Sequence, residues 1–266
     1  MQKINKKIKK FKKEGFVKFS KILENKKCRD LYLRLKNNRS WNKELFMSEK
    51  VFQKNPQMKK TNPGKGIQNL IDEYNTDFIE KNDLICKFLN EVLGNNWEII
   101  LSKFVVAVPY SWMPKYVRSF HKNALISNFN PFIKKRFRDV TYFHGIDYHM
   151  DSRDNKGGTN KFITMYIYLN DVDLKMSPLN VIKKSHKFGH TTFPHLIKTN
   201  KKIKNEIFYK KNNKDKFRKF KKETLTGITG SVYFWTSNTL HGTMPSKKPS
   251  NKFRISVRYL IKKSEI

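Results

Sequence analysis

Cysteine is scarce in this sequence, and the two residues present, Cys28 and Cys86, lie far apart and form no Cys-x-x-Cys pair. This usage predicts reduced thiols in a cytosolic protein. Long apolar runs are also missing, since no stretch approaches the ~18 apolar residues of a membrane-spanning helix. The lysine-rich residues 1–13 lack the continuous apolar centre of a signal peptide. Together these absences predict a soluble, cytoplasmic protein with no transmembrane segment.

Acidic residues are few. The chain has 22 Asp and Glu against 57 Lys and Arg, a formal net charge of +35. A charge of this size suits a nucleic-acid or anionic-membrane partner. The lysines, however, occur along nearly the whole chain, and there is no RNA- or DNA-binding motif. We therefore interpret the charge mainly as background composition on a solvated surface. Nucleic acid is the disfavoured alternative partner, and an anionic small molecule is compatible with the charge.

The remaining composition is that of a packed globule, with 38% hydrophobic and 14% aromatic residues. A chain of 266 residues can form one large core. It shows no internal repeat and no clear boundary, so we predict a single domain over residues 1–266. Apolar residues at helical spacing predict supporting helices at about 66–94. A lysine-rich stretch at about 187–223 is predicted to be an insertion that could serve as a substrate lid, and its segment 209–216 resembles a mobile surface loop.

From Trp97 onward the pattern changes to short stretches rich in β-branched and aromatic residues. Predicted strands cover 97–108, 140–143, 148–151, 162–169, 179–182, 228–235 and 253–261. Many strands without interleaved helices favour a sandwich or jelly roll. The predicted fold class is therefore mainly β with flanking helices (α+β).

A candidate metal motif lies at the end of one of these strands, in His149-Met150-Asp151. Because side chains alternate along an extended strand, His149 and Asp151 are predicted to project from the same side. His241 follows a later strand and is also predicted at a strand end. Two histidines and one carboxylate suit non-haem Fe(II), because they leave positions open for a chelating co-substrate and for O2.

A candidate anion-binding pair follows His241. Arg254 lies thirteen residues beyond it, at the start of a predicted strand. A fixed guanidinium can hold a terminal carboxylate through two parallel hydrogen bonds. Thr243 could donate its hydroxyl to the same carboxylate. Arg258 is four residues further on, keeps the same face of the strand, and is predicted to pair with a carboxylate.

Taken in order, these motifs resemble the phytanoyl-CoA dioxygenase family of Fe(II)/2-oxoglutarate oxygenases. The matching pieces are Glu14-Gly15-Phe16-Val17, His149-Met150-Asp151, the strand 166–172, Ser177-Pro178-Leu179 with Ser185-His186, His241-Gly242-Thr243 and Phe253-Arg254. The resemblance covers residues 14–19 and most of 140–261. Ser177 replaces the family's usual glycine, and Lys183-Lys184 replace a Pro-Gly turn. These departures affect a turn and not the metal motif.

The resemblance implies a double-stranded β-helix (a jelly roll, cupin-like) with Fe(II) bound by His149, Asp151 and His241. It also implies 2-oxoglutarate as a co-substrate that chelates the metal. Arg254 and Thr243 would hold its far carboxylate, and Tyr166 would form part of the wall. O2, the second co-substrate, would drive decarboxylation to succinate and CO2 with hydroxylation of the substrate. The carboxylate of Asp151 fits a hydroxylase, since halogenating relatives have a small residue there.

The implied substrate is a small molecule. Two alternatives stay open from the sequence. Oxidative demethylation of nucleic acid uses the same metal triad, but it needs a base-flipping pocket and a second arginine, for which only Arg258 is a candidate. A jelly-roll binding module without catalysis would retain the scaffold alone. The substrate pocket is predicted to involve residues 95–140 and the lysine-rich insertion.

Overall fold

The chain folds into two facing β-sheets with helices packed on one of them. The structure is a computed structural model that describes residues 2–54, 69–123, 129–154, 162–190, 195–200, 203, 205–243 and 252–264. Its α-helices, within those ranges, are α1 (Gln2–Glu14), α2 (Asn25–Asn37), α3 (Glu49–Lys54), α4 (Asp77–Glu80), α5 (Asp83–Leu93) and α6 (Lys115–Asn123). Its strands are β1 (Phe16–Phe19), β2 (Trp97–Ala107), β3 (Thr141–Phe143), β4 (Ile146–His149), β5 (Phe162–Tyr168), β6 (Leu179–Ile182), β7 (Leu196–Thr199), β8 (Glu206–Lys210), β9 (Arg218–Thr224), β10 (Val232–Thr236), β11 (His241–Thr243) and β12 (Arg254–Lys263).

Within the described residues, each sheet has six strands. The major sheet has the order β1-β10-β5-β12-β2-β3, and the minor sheet has the order β4-β11-β6-β9-β8-β7. All pairings are antiparallel except β2 with β3. Strands that are neighbours in a sheet are mostly distant in the chain, as in a jelly roll. The predicted mainly β fold class with a jelly-roll core is confirmed.

Alternation of side chains gives the major sheet two different faces. On β5, Tyr166 and Tyr168 face inward and join a cluster with Tyr233 of β10 and Leu179 of the minor sheet. The intervening Met165 faces outward into a larger cluster, which includes the apolar faces of the helices. The inner cluster fills the space between the sheets. The helices therefore cover the outer face of the major sheet and leave the interior of the sandwich to strand residues.

Helix α1 is amphipathic, and its apolar face is used within the protein. Ile4, Ile8 and Phe11 are buried in the outer cluster, while Lys6, Lys9, Lys12 and Lys13 are exposed. Gly15 ends the helix with φ +78°, and a Cβ there would lie 2.3 Å from Nδ1 of His186. Strand β1 begins at the next residue, Phe16.

Helical support is present where the sequence indicates it, with shorter elements. Within the predicted range of about 66–94 the structure has a 3₁₀ turn at Leu70–Glu73, followed by α4 and α5. Residues 66–68 lie outside the described residues. Gly94, with φ +90°, ends α5. In the described parts of the chain, no helix has the length and apolar character needed to cross a membrane.

The lysine-rich stretch contains three strands and is therefore not one continuous loop. The surface loop predicted at 209–216 largely coincides with residues 211–217, which connect β8 to β9. β7, β8 and β9 extend the minor sheet through β6. Residues 191–194, 201, 202 and 204 of this stretch lie outside the described residues. The strand residues Ile207 and Tyr209 are buried and pack with Met150 and Leu240. Alternate apolar side chains thus bury one face of this three-stranded extension against Met150, the middle residue of the His-x-Asp motif.

Candidate metal centre

Three side chains from separate parts of the chain converge at one end of the sandwich. His149, Asp151 and His241 each offer one ligand atom, and these atoms all lie within 4.8 Å of one another. Of the residues that the structure describes, no other group of histidine, cysteine or carboxylate side chains is arranged in this way. The geometry fits a single metal ion. It brings together the three ligands predicted from the sequence.

The two histidines face each other across a strand pair. His149 is the last residue of β4 and His241 the first of β11, and the two residues are paired in the antiparallel register. Their ring centroids are 4.3 Å apart. Gly242 follows His241, and a Cβ there would lie 2.8 Å from the carbonyl oxygen of Ile146. A glycine is therefore needed for β11 to approach β4 so closely.

Asp151 reaches the site from a turn. Strand β4 ends at His149, and Asp151 begins the 3₁₀ turn Asp151–Asp154, so the predicted extension of the strand to residue 151 is wrong. The backbone N–H of Ser152 donates to the carbonyl of Ser237, the residue after β10. The carboxylate still converges on the histidines, with Asp151 Oδ1 3.6 Å from His241 Nε2.

Backbone carbonyls fix both imidazole rings. Nδ1 of His149 lies 2.9 Å from the carbonyl oxygen of Asp147, and Nδ1 of His241 lies 3.0 Å from that of Thr239. Because a carbonyl only accepts, Nδ1 carries the hydrogen in each ring and Nε2 keeps a lone pair. Burial lowers the pKa of His241 to about 4, although the neighbouring Asp151 carboxylate raises it. His241 is therefore neutral near pH 7, as a metal ligand must be.

The Asp151 carboxylate is held by three strands of the major sheet. Its Oδ2 accepts hydrogen bonds from Thr164 Oγ1 (2.6 Å, β5) and Trp235 Nε1 (2.9 Å, β10). Its Oδ1 accepts from Arg258 Nη2 (2.5 Å, β12). Burial by itself raises the pKa of Asp151, but Arg258 and the two histidines outweigh it and hold that pKa below its ordinary value. The carboxylate is thus charged and fixed in position.

Arg254 forms a second polar centre inside the sandwich. Its side chain is fully buried, and its guanidinium carbon lies 5.1 Å, 5.8 Å and 5.3 Å from the ring centroids of Phe143, Tyr166 and Tyr168. Nη1 makes a 3.4 Å contact with the hydroxyl of Tyr168. Nε and Nη2 are buried and have no hydrogen-bond partner among the described residues. A buried guanidinium with free donors is costly unless an anion binds to it.

Two further buried groups in this interior have unused hydrogen-bonding capacity. The hydroxyls of Thr243 and Tyr166 are both buried without a partner in the described chain. The ring centroid of Tyr166 lies 5.7 Å from that of Trp235, which in turn lies 4.9 Å from that of His241. The unsatisfied groups therefore follow a path from Arg254 toward the metal motif. Their chemistry fits a dicarboxylate that reaches from the guanidinium to a metal.

Sequence reasoning did not identify Thr164 and Trp235 as partners of Asp151. The sequence indicates them only through their positions on strands that it does predict. Thr164 is two residues from Tyr166 and Trp235 is two residues from Tyr233, so each faces the interior together with that tyrosine. The prediction that Arg258 pairs with a carboxylate is confirmed by its contact with Asp151.

A pair of buried histidines lies outside the metal motif. His144 Nδ1 is 2.8 Å from the carbonyl oxygen of Val108, and its ring centroid is 5.5 Å from that of His121. Burial lowers the pKa of both imidazoles, that of His121 to about 4 with a further contribution from His144. Both rings are therefore neutral near pH 7.

No family model matches the sequence, and no curated protein matches it. Solved structures share its fold. The epimerase SnoN in complex with Fe3+, alpha ketoglutarate and nogalamycin RO is 9% identical, with a TM-score of 0.57 over 98% of this chain and 84% of that one. The apo form of the non-heme monooxygenase ThoJ is 10% identical, with a TM-score of 0.54 over 96% of this chain and 76% of that one. At these identities the likeness concerns the fold, which is that of these non-heme enzymes.

Proposed function

We propose that this protein is an Fe(II)- and 2-oxoglutarate-dependent dioxygenase that hydroxylates a small molecule. The observation that carries the proposal is the convergence of His149, Asp151 and His241 within 4.8 Å. Two imidazoles and one carboxylate are the ligand set of non-haem Fe(II) oxygenases. The neighbour SnoN binds Fe3+ and alpha ketoglutarate on the same fold. The order of motifs supports a family like that of phytanoyl-CoA dioxygenase.

The protein's own residues supply binding and orientation. His149, Asp151 and His241 would hold the iron on one side and leave the opposite side accessible. Arg254 would pair with the far carboxylate of 2-oxoglutarate, and the hydroxyls of Thr243 and Tyr166 would donate to the co-substrate. Bound iron with 2-oxoglutarate supplies O2 activation, with succinate and CO2 as co-products. The aromatic wall around Arg254 excludes water, which strengthens its pairing with a carboxylate.

An anaerobic titration tests the metal and co-substrate together. Addition of Fe(II) and 2-oxoglutarate to the purified chain should produce the visible charge-transfer band of a chelated 2-oxo acid. His149→Ala and Asp151→Ala should abolish the band, because each removes a metal ligand. His186→Ala is the matched control, since His186 lies outside the cluster and contacts the backbone of Lys12. A normal band in both ligand variants would contradict the proposal.

Arg254 is tested separately from the metal. Arg254→Ala should weaken 2-oxoglutarate binding while Fe(II) still binds, because the guanidinium is not among the ligands. Arg254→Lys keeps the charge but cannot form two parallel hydrogen bonds. Its affinity for 2-oxoglutarate should therefore lie between those of wild type and Arg254→Ala. Arg136→Ala, which removes an arginine that contacts Phe137 outside the site, is the control. Equal affinity in wild type and Arg254→Ala would show that the co-substrate binds elsewhere.

The reaction type has its own readout. A hydroxylase adds one oxygen atom from O2 to its substrate, whereas an epimerisation leaves the mass unchanged. Candidate small molecules should therefore be screened for O2-dependent succinate release, followed by mass spectrometry under ¹⁸O2. Succinate release with an unchanged substrate mass would contradict hydroxylation and retain the oxygenase chemistry.

A further inference from the structure

Arg258 and a bound metal need the same oxygen atom. Oδ1 of Asp151 is the oxygen that lies 3.6 Å from Nε2 of His241, and Arg258 Nη2 donates to it over 2.5 Å. The other oxygen, Oδ2, is occupied by Thr164 and Trp235. The donors to Oδ2 leave Oδ1 unoccupied. Arg258, in contrast, donates to Oδ1, the oxygen near His241.

The contact joins two charged groups with little access to water. The Arg258 side chain is 15% exposed and that of Asp151 is 2% exposed. A guanidinium keeps its charge at any working pH. When no metal is bound, Arg258 is the cation in contact with this buried carboxylate, and a buried carboxylate is costly without one. When a divalent ion is bound to Oδ1, the two cations repel each other across one atom.

We infer that Arg258 competes with the metal ion for Asp151 and thereby lowers the metal affinity of the centre while it stabilises the metal-free protein. The inference rests on the proposed metal site. Coupling between two binding free energies is reciprocal. If the metal weakens the Arg258–Asp151 contact by some factor, that contact must lower the affinity of the site for the metal by the same factor. Arg258 is in this sense a positioning residue that acts through Asp151. It lowers the metal affinity of the centre, whereas Thr164 and Trp235 raise that affinity.

Metal affinity gives the first test. Mn(II) is the probe, and the free ion is counted by electron paramagnetic resonance on the full chain after removal of metals by a chelator. Arg258→Met should bind Mn(II) roughly tenfold more tightly than wild type, within the usual range of such couplings. Arg258→Gln keeps a donor without the charge and should also bind more tightly. Arg258→Lys keeps the charge and should bind as wild type does.

Thermal unfolding gives the second test. Metal-free Arg258→Met should melt below wild type, and saturating Mn(II) should narrow that difference, because the ion replaces the lost cation. Arg39→Met is the matched control. Arg39 forms a similar ion pair with Asp139, at 2.6 Å and with side chains 9% and 17% exposed, and Asp139 is not among the three ligands. Its melting deficit should be the same with and without Mn(II).

The outcomes separate this inference from the proposed function. If wild type binds no Mn(II), or if His149→Ala binds it equally well, the metal site itself is refuted. If wild type binds Mn(II) and both Arg258→Met and Arg258→Gln bind it equally or more weakly, only the competition is refuted. Should Arg258→Met fail to fold, the comparison of Arg258→Gln with Arg258→Lys decides the same question.

Discussion

Asp151 receives its hydrogen bonds from residues that are not themselves ligands. Thr164 and Trp235 both donate to Oδ2, which leaves Oδ1 directed at the histidines. Partners of this kind orient a ligand and keep its charge in place. The carboxylate therefore does not have to search for its metal-binding rotamer. The free energy of metal binding should depend on residues that never touch the ion.

Thr164→Val is the direct test of that dependence. Valine has nearly the same shape but no hydroxyl, so Oδ2 loses its 2.6 Å donor. We expect Mn(II) affinity to fall by about tenfold or more, in line with losses of other outer partners. Thr164→Ser keeps the hydroxyl and should bind as wild type does. Equal affinity in all three proteins would show that Trp235 and Arg258 position the carboxylate without help from Thr164.

The buried histidine pair predicts a dependence of stability on pH. His121 has a folded pKa of about 4, below its ordinary value. The unfolded chain therefore binds more protons between pH 6.5 and 4, and stability must fall as the pH decreases through that window. From pH 7.5 to 5.5, His121 should contribute a loss on the order of 1 kcal/mol.

Denaturant unfolding of metal-free His121→Phe measures this contribution. Phenylalanine preserves a ring in the edge contact with Phe129 and does not titrate. The variant should therefore lose less stability between pH 7.5 and 5.5 than wild type does. Parallel stability curves for the two proteins would mean that His121 titrates normally in the folded state.

At the scale of elements, strand pairing brings the two histidines of the candidate metal centre together. β4 and β11 are short, and their close approach depends on Gly242, whose Cβ would meet backbone atoms of Ile146 and Tyr148 at 2.8–3.1 Å. Backbone atoms cannot move aside as a flexible side chain can. Any side chain at position 242 should therefore separate the strands that end in His149 and begin with His241.

Gly242→Ala should accordingly weaken metal binding as well as stability. We expect a loss of roughly 1–3 kcal/mol in the free energy of unfolding, typical of an overpacked site, together with reduced Mn(II) affinity. Gly94→Ala is the matched control. Gly94 has φ +90° with nothing within 4 Å of a built Cβ, so its replacement strains the chain far from the ligands. That variant should be less stable but bind Mn(II) normally.

Strands rich in β-branched and aromatic residues were predictable, and local irregularities were not. The sequence predicts β5, β6 and β12 close to their observed bounds because such residues are concentrated there. It misses the end of β4 at His149, because the bend at Asp151 depends on a hydrogen bond between Ser152 and Ser237, which are distant in the chain. The lysine-rich β7–β9 region was misjudged because charged residues hid the alternation of Ile207 and Tyr209. The ligand residues were recognised from spacing and order, whereas Thr164 and Trp235 required the register of the sheets.

For the whole molecule, the net charge of +35 predicts non-specific attraction to polyanions. We expect weak binding of DNA or RNA oligonucleotides at low salt that disappears steeply as salt increases, because the affinity comes from counterion release. Fluorescence anisotropy over a salt series with several unrelated sequences would measure it. Binding that persists at roughly physiological salt with a clear sequence preference would instead favour the nucleic-acid demethylase alternative.

The two sheets meet at one carboxylate. Asp151 follows a strand of the minor sheet, while its three hydrogen-bond donors come from β5, β10 and β12 of the major sheet. Arg254 also belongs to the major sheet, so a ligand that spans from it to the histidines would fasten one layer to the other. Occupancy of the centre should therefore slow amide hydrogen exchange in both layers at once, including strands that touch neither metal nor ligand.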